Sequence, residues 1–301
     1  MMNLYEFYEK NIEYSIEAIA ADEELAIHVQ RALIWRGLLG GSADGKFGPI
    51  SAEALREFQR RAGCKENGFL GPETAKKLIE EKLDESGNQL LLGSDLASRM
   101  VAYMQRKGYQ ISTRRGEYSI IYVEGMNTDG TLNNDAPDQF NDWRLVLEVI
   151  NGKPNIIDGW EATTEPGYYY TNNPMNPKGA ARIAFGQYKA WQVGIHGNSE
   201  PHEALIQRAP IKVFRDKNKD MVRTGDEVDE GLFGVNQHWG YDYPRRSIRL
   251  ASAGCLVGRY RVGHREFMKL VKQDRRYLLN NKYMFLTTVI AGTDLAKRPE
   301  D

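Results

Sequence analysis

Two cysteines, Cys64 and Cys255, are all that this chain of 301 residues contains. They fall in segments whose patterning differs, so a disulfide framework is not expected, and no zinc-type cysteine spacing exists. Long apolar runs are missing as well. None approaches the ~18 residues that a membrane-spanning helix needs. The opening Met1-Met2-Asn3-Leu4-Tyr5-Glu6 carries acids where a secretory leader has a basic and then an apolar stretch, so no Sec-type signal is expected. An excess of either charge is also absent: with a net charge of -1, no overall field argues for nucleic acid as a partner. The remainder, 41% hydrophobic and 27% charged, is an ordinary globular composition, and 301 residues exceed one core of typical size. Two domains are expected.

The first part of the chain has helical periodicity. Leu4, Phe7, Tyr8, Ile12, Ile16 and Ile19 recur every three or four residues and predict an N-terminal helix within residues 1–23. Residues 24–83 read as three short helices. Their stripes are Leu25, Val29, Ala32 and Leu33; then Leu55, Phe58 and Ala62, with Ser51 as the cap; then Thr74, Ala75, Leu78 and Ile79, opened by Gly71-Pro72. Cys64 follows the second helix and reads as a small core hydrophobe. Residues 84–112 read as a linker ending in Leu90-Leu91-Leu92, then a connecting helix carrying Leu96, Met100, Tyr103 and Met104 that stops at Gly108.

From residue 113 onward strands take over. Residues 118–123, 143–150 and 155–164 are β-rich, the last two joined through Asn151-Gly152 as in a hairpin, and short strands are predicted at 182–185, 192–195, 211–215 and 233–237. Another start is expected at Tyr109-Gln110-Ile111, helices from His264 to Tyr277 and a final strand near 283–290. The fold class is therefore α+β: a small three-helix module followed by a mainly antiparallel β domain, residues 113–301, with peripheral helices.

The helical module has spaced motifs. Val29-Gln30-x-x-Leu33, Asp44-Gly45-x-Phe47-Gly48, Phe58-Gln59 and Gly68-x-x-Gly71-Pro72-x-Thr74, in that order, resemble the peptidoglycan-binding domain of the PG-binding-1 family. The resemblance implies peptidoglycan as the partner, through glycan strand and stem peptide, and action at the cell wall, periplasmic or extracellular.

In the β domain, Cys255 ends the small-residue turn Ser252-Ala253-Gly254-Cys255, downstream of His238. A thiol is a strong nucleophile only as thiolate, and a positioned imidazole is the usual acceptor of its proton. Gly254 permits close approach of backbone to a substrate carbonyl, the amides of Gly254 and Cys255 are candidate oxyanion donors, and Ser252 is a candidate to orient His238. The stretch from Gly234 to Arg259 resembles the active-site segment of the L,D-transpeptidase (YkuD-like) family, with Ala253 where a His is common and Val257 where an Arg is common. A broader likeness, over residues 115–260, is to bacterial and phage wall proteins that join such a domain to a peptidoglycan-binding module. The resemblance implies a β-sandwich-like catalytic fold, no required cofactor, and attack of Cys255 on the carbonyl of the third stem residue. D-Ala is then expelled and a thioester left, which an amine or water resolves as transpeptidase or L,D-carboxypeptidase. Asn236 and Arg259 are substrate-cleft candidates.

Other readings remain open on the sequence. His196, in Ile195-His196-Gly197, is an alternative base or a cleft residue. With His202 and His238 it also gives a zinc peptidase reading. His28 and His264 sit on helices and read as structural. Tyr168, Tyr169 and Tyr170 form an aromatic loop suited to line a cleft against glycan or peptide. Asp216, Asn218, Asp220, Thr224 and Glu227 follow calcium-loop spacing, with Met221 where that loop demands Gly, so calcium competes with a charged hairpin turn. A non-catalytic peptidoglycan binder or phage structural or lysis protein is the alternative to the enzyme.

Overall fold

The computed structural model describes residues 2–36, 38–40, 42–79 and 90–297, so most of the linker expected at 84–93 lies outside the described residues. The chain divides into two compact units, residues 1–87 with 275–283, and 88–274 with 284–301.

In the first unit the expected N-terminal helix is two helices, α1 (Leu4–Lys10) and α2 (Ile16–Ala21). Asn11 takes a left-handed φ of 51° that ends α1, and Ser15 caps α2 by accepting from the Ala18 amide. Between them, Tyr14 pairs with Leu70 as a two-residue β-bridge. The three module helices are α3 (Glu23–Trp35), α4 (Pro49–Ala62) and α5 (Pro72–Ile79). The apolar stripes meet as read: Leu25, Val29, Leu33, Leu55, Phe58 and Leu78 are buried in one core, joined by Leu279 of the short helix Arg275–Leu279. Cys64 packs against that core, partly buried.

Ser51 is not the cap of α4. Pro49 starts the helix two residues earlier, and the Ser51 hydroxyl accepts from Gln30 Nε2 (3.1 Å). Gln30 also reaches Asp44 Oδ1 (3.0 Å) and accepts from the Gly45 amide (2.9 Å). Gln59 does the same for the next turn, donating to Phe69 O (2.7 Å) and Thr74 Oγ1 (3.0 Å) and accepting from the Gly68 amide (3.0 Å). The two motif glutamines thus satisfy loop backbone groups that would otherwise be orphaned beside the core.

The second unit opens with Leu90 packed on a core cluster and Leu91 and Leu92 exposed, so the expected triple-leucine anchor is one residue. Helix α6 (Leu96–Arg106), capped by Asp95, lays Met100 and Met104 against Ile121, Leu145 and Leu147. Tyr109-Gln110-Ile111 forms no strand. The strands are β1 (Tyr118–Glu124), β2 (Asp142–Ile150), β3 (Lys153–Thr163), β4 (Ala180–Ile183), β5 (Gly186–His196), β6 (His202–Gln207), β7 (Ile211–Asp216), β8 (Glu227–Gly231), β9 (Gln237–Trp239), β10 (Leu256–Gly258) and β11 (Phe285–Ala291). Asn151 and Gly152 join β2 to β3 with φ of 52° and 79°, the positive pair that a two-residue hairpin needs.

The ladder is mainly antiparallel, as the pattern implied, but instead of two stacked sheets it is continuous: β1-β11-β5-β6-β9-β10-β3-β2 close into a barrel, with β4-β7-β8 as a separate sheet. Closure rests on two three-residue strands that pair in parallel, Leu256 with Gln237, Val257 with His238 and Gly258 with Trp239. Each supplies the other with backbone partners, so the barrel keeps no open edge there. The strand expected at 233–237 is therefore extended coil up to the short β9, and the helices expected over 264–277 are α8 (Arg261–Val271) and the short helix Arg275–Leu279 that belongs to the first unit.

A buried ionic knot holds the small sheet to the barrel. Glu124, at the end of β1, accepts from Arg182 of β4 (Nη2, 3.0 Å), from Arg223 (Nη2, 2.5 Å) and from Thr164 Oγ1 (2.6 Å). Burial alone would raise the Glu124 carboxyl, yet the two guanidiniums overcome it and hold it at about 2.

Candidate active site

Parallel pairing of β9 and β10 is what brings the two sequence-chosen groups together. His238 sits opposite Val257, and Cys255 immediately precedes β10, at the end of its turn, so the pairing brings the turn alongside His238. Both line one cavity of about 670 Å³, together with His196, Tyr170, Tyr241 and Arg215.

The turn that presents the thiol is set by Gly254. Its φ of 122° is one that residues with a Cβ avoid, and a Cβ there would fall on the carbonyl oxygen of Ala181. Ser252 does not orient His238: its hydroxyl donates to Cys255 O (2.9 Å) and accepts from the Gly254 amide (3.1 Å), tying the turn to itself. That same bond occupies the Gly254 amide, so of the two expected oxyanion donors only the Cys255 amide is left. The sulfur accepts from the Asn236 amide (3.4 Å), and its S–H points to Gly234 O (3.6 Å). Burial pushes the Cys255 thiol up to about 11, against the opposing pull of the Asn236 amide.

His238 is buried, and burial, then the neighbouring His196, hold its imidazole well below 6.5, so it is neutral at neutral pH. Its Nδ1 lies 2.8 Å from Trp239 O, and because a carbonyl only accepts, Nδ1 carries the proton and Nε2 the lone pair. The tautomer is that of a general base acting through Nε2.

His196 stacks on His238 with ring centroids 3.9 Å apart and planes 12° from parallel. Asn236 sets its tautomer. The Asn236 Oδ1 is pinned by the Gln207 amide (2.9 Å), so Nδ2 donates to His196 Nδ1 (3.1 Å), and the proton of His196 is on Nε2. Burial lowers His196 to about 4. Asn236 is thus a support for the second imidazole and not part of the cavity wall.

The remaining sequence candidates scatter. Arg259 is outside the cavity: Nη1 bonds Glu161 (2.6 Å), Nε bonds Tyr243 O (3.0 Å), and the guanidinium covers Tyr260. The expected tyrosine loop is a short helix, α7 (Tyr168–Asn172), in which Tyr170 lines the cavity while Tyr168 and Tyr169 are 63% and 51% exposed. The calcium-like segment is a self-capped turn after β7. Asp216 accepts from the amides of Asp220 (3.2 Å) and Met221 (3.0 Å), Asn218 donates to Asp220 (2.7 Å), and Glu227 starts β8 opposite Arg215. The oxygens serve the turn and do not converge on a point. Met221, at a φ of 62°, supplies the left-handed residue that Gly would. The zinc set fails on ring geometry. Stacked imidazoles keep their lone pairs in parallel planes, so His196, His202 and His238 do not converge at the ~2.1 Å that zinc requires. His202 instead stacks on Trp239 at 3.7 Å, and His264 bonds Glu203 O (2.9 Å) and Arg144 (3.2 Å). Among the described residues no three His, Cys, Asp or Glu side chains are placed to hold a metal ion.

Tyr241 and Arg215 are among the cavity residues that were not singled out from the sequence. Tyr241 follows Gly240 in a turn where Tyr241 and Asp242 both have positive φ (58° and 60°), which a lone tyrosine does not announce. Arg215 had a signal: in β7 the alternating positions Ile211, Val213 and Arg215 are buried, with Asp216 buried as well at the strand's end, so a cation occupies the inward register.

Comparison with known proteins bears on the first unit. The family described as "Putative peptidoglycan binding domain" matches residues 22–78. No curated protein matches the chain. A solved structure, a fused Zn-dependent amidase/peptidase/peptidoglycan-binding domain-containing protein from Clostridium acetobutylicum ATCC 824, is 13% identical over 93% of this chain and 99% of its own, with a TM-score of 0.28. A likeness that low carries no argument about fold or chemistry.

Proposed function

We propose that this chain is a cell-wall protein that holds peptidoglycan through residues 22–78 and performs acyl transfer on its stem peptide with Cys255 as nucleophile and His238 as base. The family match over 22–78 supports the wall-binding half. The observation that carries the catalytic half is the shared cavity: a thiol just ahead of β10 and, on β9 beside it, a neutral imidazole whose lone pair is on Nε2.

In this reading the S–H turns from Gly234 O toward His238, Nε2 takes its proton, and sulfur bonds to the scissile carbonyl carbon. The C–N bond then breaks as the proton passes from His238 to the departing amine, leaving a thioester. Water or an amine attacks that thioester, giving a carboxypeptidase or a transpeptidase, and releases the thiol. Incubation with disaccharide tetrapeptide tests it: release of D-Ala, with a thioester mass on Cys255, is expected, and a Cys255→Ala variant with full turnover would reassign the nucleophile.

A binder without turnover is the second reading. What favours it is the resting state of the turn, with the S–H bonded to backbone, the thiol pushed up to about 11 and the Gly254 amide occupied. Sedimentation with sacculi and no product from any stem peptide is its signature. In either case action at the wall is the reading, and among the described residues no helix is long and apolar enough to cross a membrane.

A further inference from the structure

We infer that Arg215 is the specificity residue of the Cys255 cavity and that it receives a free carboxylate of the peptide substrate. The inference rests on the acyl-transfer reading for the identity of the peptide but not for the presence of the cation.

Arg215 is 4% exposed and, from β7, the central strand of the small sheet, lines the same cavity as Cys255 and His238. Among the described residues lining that cavity it is the one side chain with a fixed charge. Among the described residues lining the cavity there is no carboxylate, and both imidazoles are held neutral by burial. The guanidinium is locked in place. Nε bonds Asp229 Oδ2 (3.1 Å), the plane lies over Phe233 at 4.4 Å from the ring centroid, and the strand register turns Arg215 inward with Ile211 and Val213.

Its ion-pair partner is not its own: Asp229 is shared with Lys178 (3.3 Å), so two cations lean on that one carboxylate. Nη2 of Arg215 is enclosed and has no hydrogen-bond acceptor among the described residues. A buried guanidinium edge without an acceptor is costly in the free protein, and an anion that enters relieves that cost. An internal ion pair would have used a planar carboxylate on both edges of the fork; here one edge is left without an acceptor in a side chain that lines the cavity of the nucleophile. Aromatic and apolar neighbours such as Tyr170, Tyr241 and Phe233 lower the local dielectric and strengthen the attraction.

A stem tetrapeptide with lysine at its third position offers two carboxylates, one at its C-terminus and one on the D-glutamate. The test uses the full chain carrying Cys255→Ala, so that peptide binds without reacting. Calorimetric titration compares the free acid with two monoamides, one blocked at the C-terminal D-Ala and one at the D-glutamate. One of the amides is expected to bind about 10- to 100-fold more weakly than the free acid, which identifies the carboxylate that is read. Adding Arg215→Gln is expected to bring that ratio to within about twofold of one, and Arg215→Lys to keep part of it, since the charge survives and the fork does not. A purely structural Arg215 would weaken acid and amide alike and leave the ratio intact.

A ratio that survives Arg215→Gln, equal binding of all three peptides by the Arg215 protein, or no binding of any of them would each overturn the inference. Failure of the acyl-transfer reading is seen separately. It appears as absent thioester and absent D-Ala release from the Cys255 protein, while the binding ratio and its dependence on Arg215 persist.

Discussion

The resting acidity of Cys255 gives the sharpest prediction. Its thiol is pushed up to about 11 by burial, whereas an ordinary cysteine titrates near ~8.5. At pH 7 the thiolate fraction is then about 1 in 10,000, against roughly 3 in 100 for an ordinary thiol, a loss of about 300-fold. The more basic thiolate is intrinsically better at attack by about tenfold, from a Brønsted slope of about 0.4 over the difference in acidity. Alkylation of Cys255 by iodoacetamide in the free protein should therefore run about 30-fold slower than that of an exposed thiol at pH 7, and rise about tenfold per pH unit without levelling below about pH 10. Because the S–H points to Gly234 O, His238→Ala should leave this profile nearly unchanged. Mass spectrometry of the Cys255 peptide measures the rate, with Cys64, also raised by burial, followed separately in the same digest. An inflection near neutral pH that His238→Ala removes would show a preformed thiolate–imidazolium pair and refute the reasoning.

Three further outcomes follow from the packing. Gly254→Ala should destabilise the β domain by ~3 kcal/mol in denaturant titration and abolish turnover, since it combines a positive φ with a Cβ placed on Ala181 O; a variant as stable as the parent would mean that the turn is not so constrained. Glu124→Gln should cost ~3 kcal/mol by the same measurement, because Arg223 loses its carboxylate and Arg182 keeps only Glu165 (3.0 Å) of the two it pairs with; a change within error would show that water reaches the knot. His28 is buried, with Nδ1 accepting from the Leu4 amide (3.3 Å), and burial lowers it to about 4. Its unfolded form binds a proton that the native form refuses between about pH 6.5 and 4, so stability should fall as pH falls through that window, by at most ~3 kcal/mol at pH 4. Denaturant midpoints of the parent and His28→Gln should accordingly converge on acidification, and equal pH slopes would remove His28 from the account.

Legibility in the sequence followed the range of the interaction. The helices of the module were readable because 3.6-residue periodicity, Pro72 and the αL glycines act within a few residues, and the Asn151-Gly152 hairpin because its turn chemistry is local. Where two local signals competed, the reading slipped: apolar spacing ran straight through Asn11, and Ser51 looked like a cap although Pro49 already began the helix. The motif residues Gln30 and Gln59 were visible as a pattern, while their work of fastening loop amides was visible only once the loops folded over them.

For the candidate site, Cys255 and His238 were marked by the glycine turn that carries the thiol, the histidine upstream of it and the resemblance of the stretch from Gly234 to Arg259 to an active-site segment. Their meeting is a long-range fact. It depends on β9 and β10, two strands of three residues each, too short to leave a periodic trace, and on the parallel register that aligns His238 with Val257. The sequence determined which groups are chemically able to act, because that is a property of side chains and their immediate neighbours. Tertiary structure alone decided which of them share a cavity, which nitrogen of each imidazole holds its proton, that Ser252 ties its own turn and Arg259 pairs with Glu161, and that Arg215 lines the cavity of the thiol. Burial, register and hydrogen-bond partners are set by residues distant in the chain, and no local pattern encodes them.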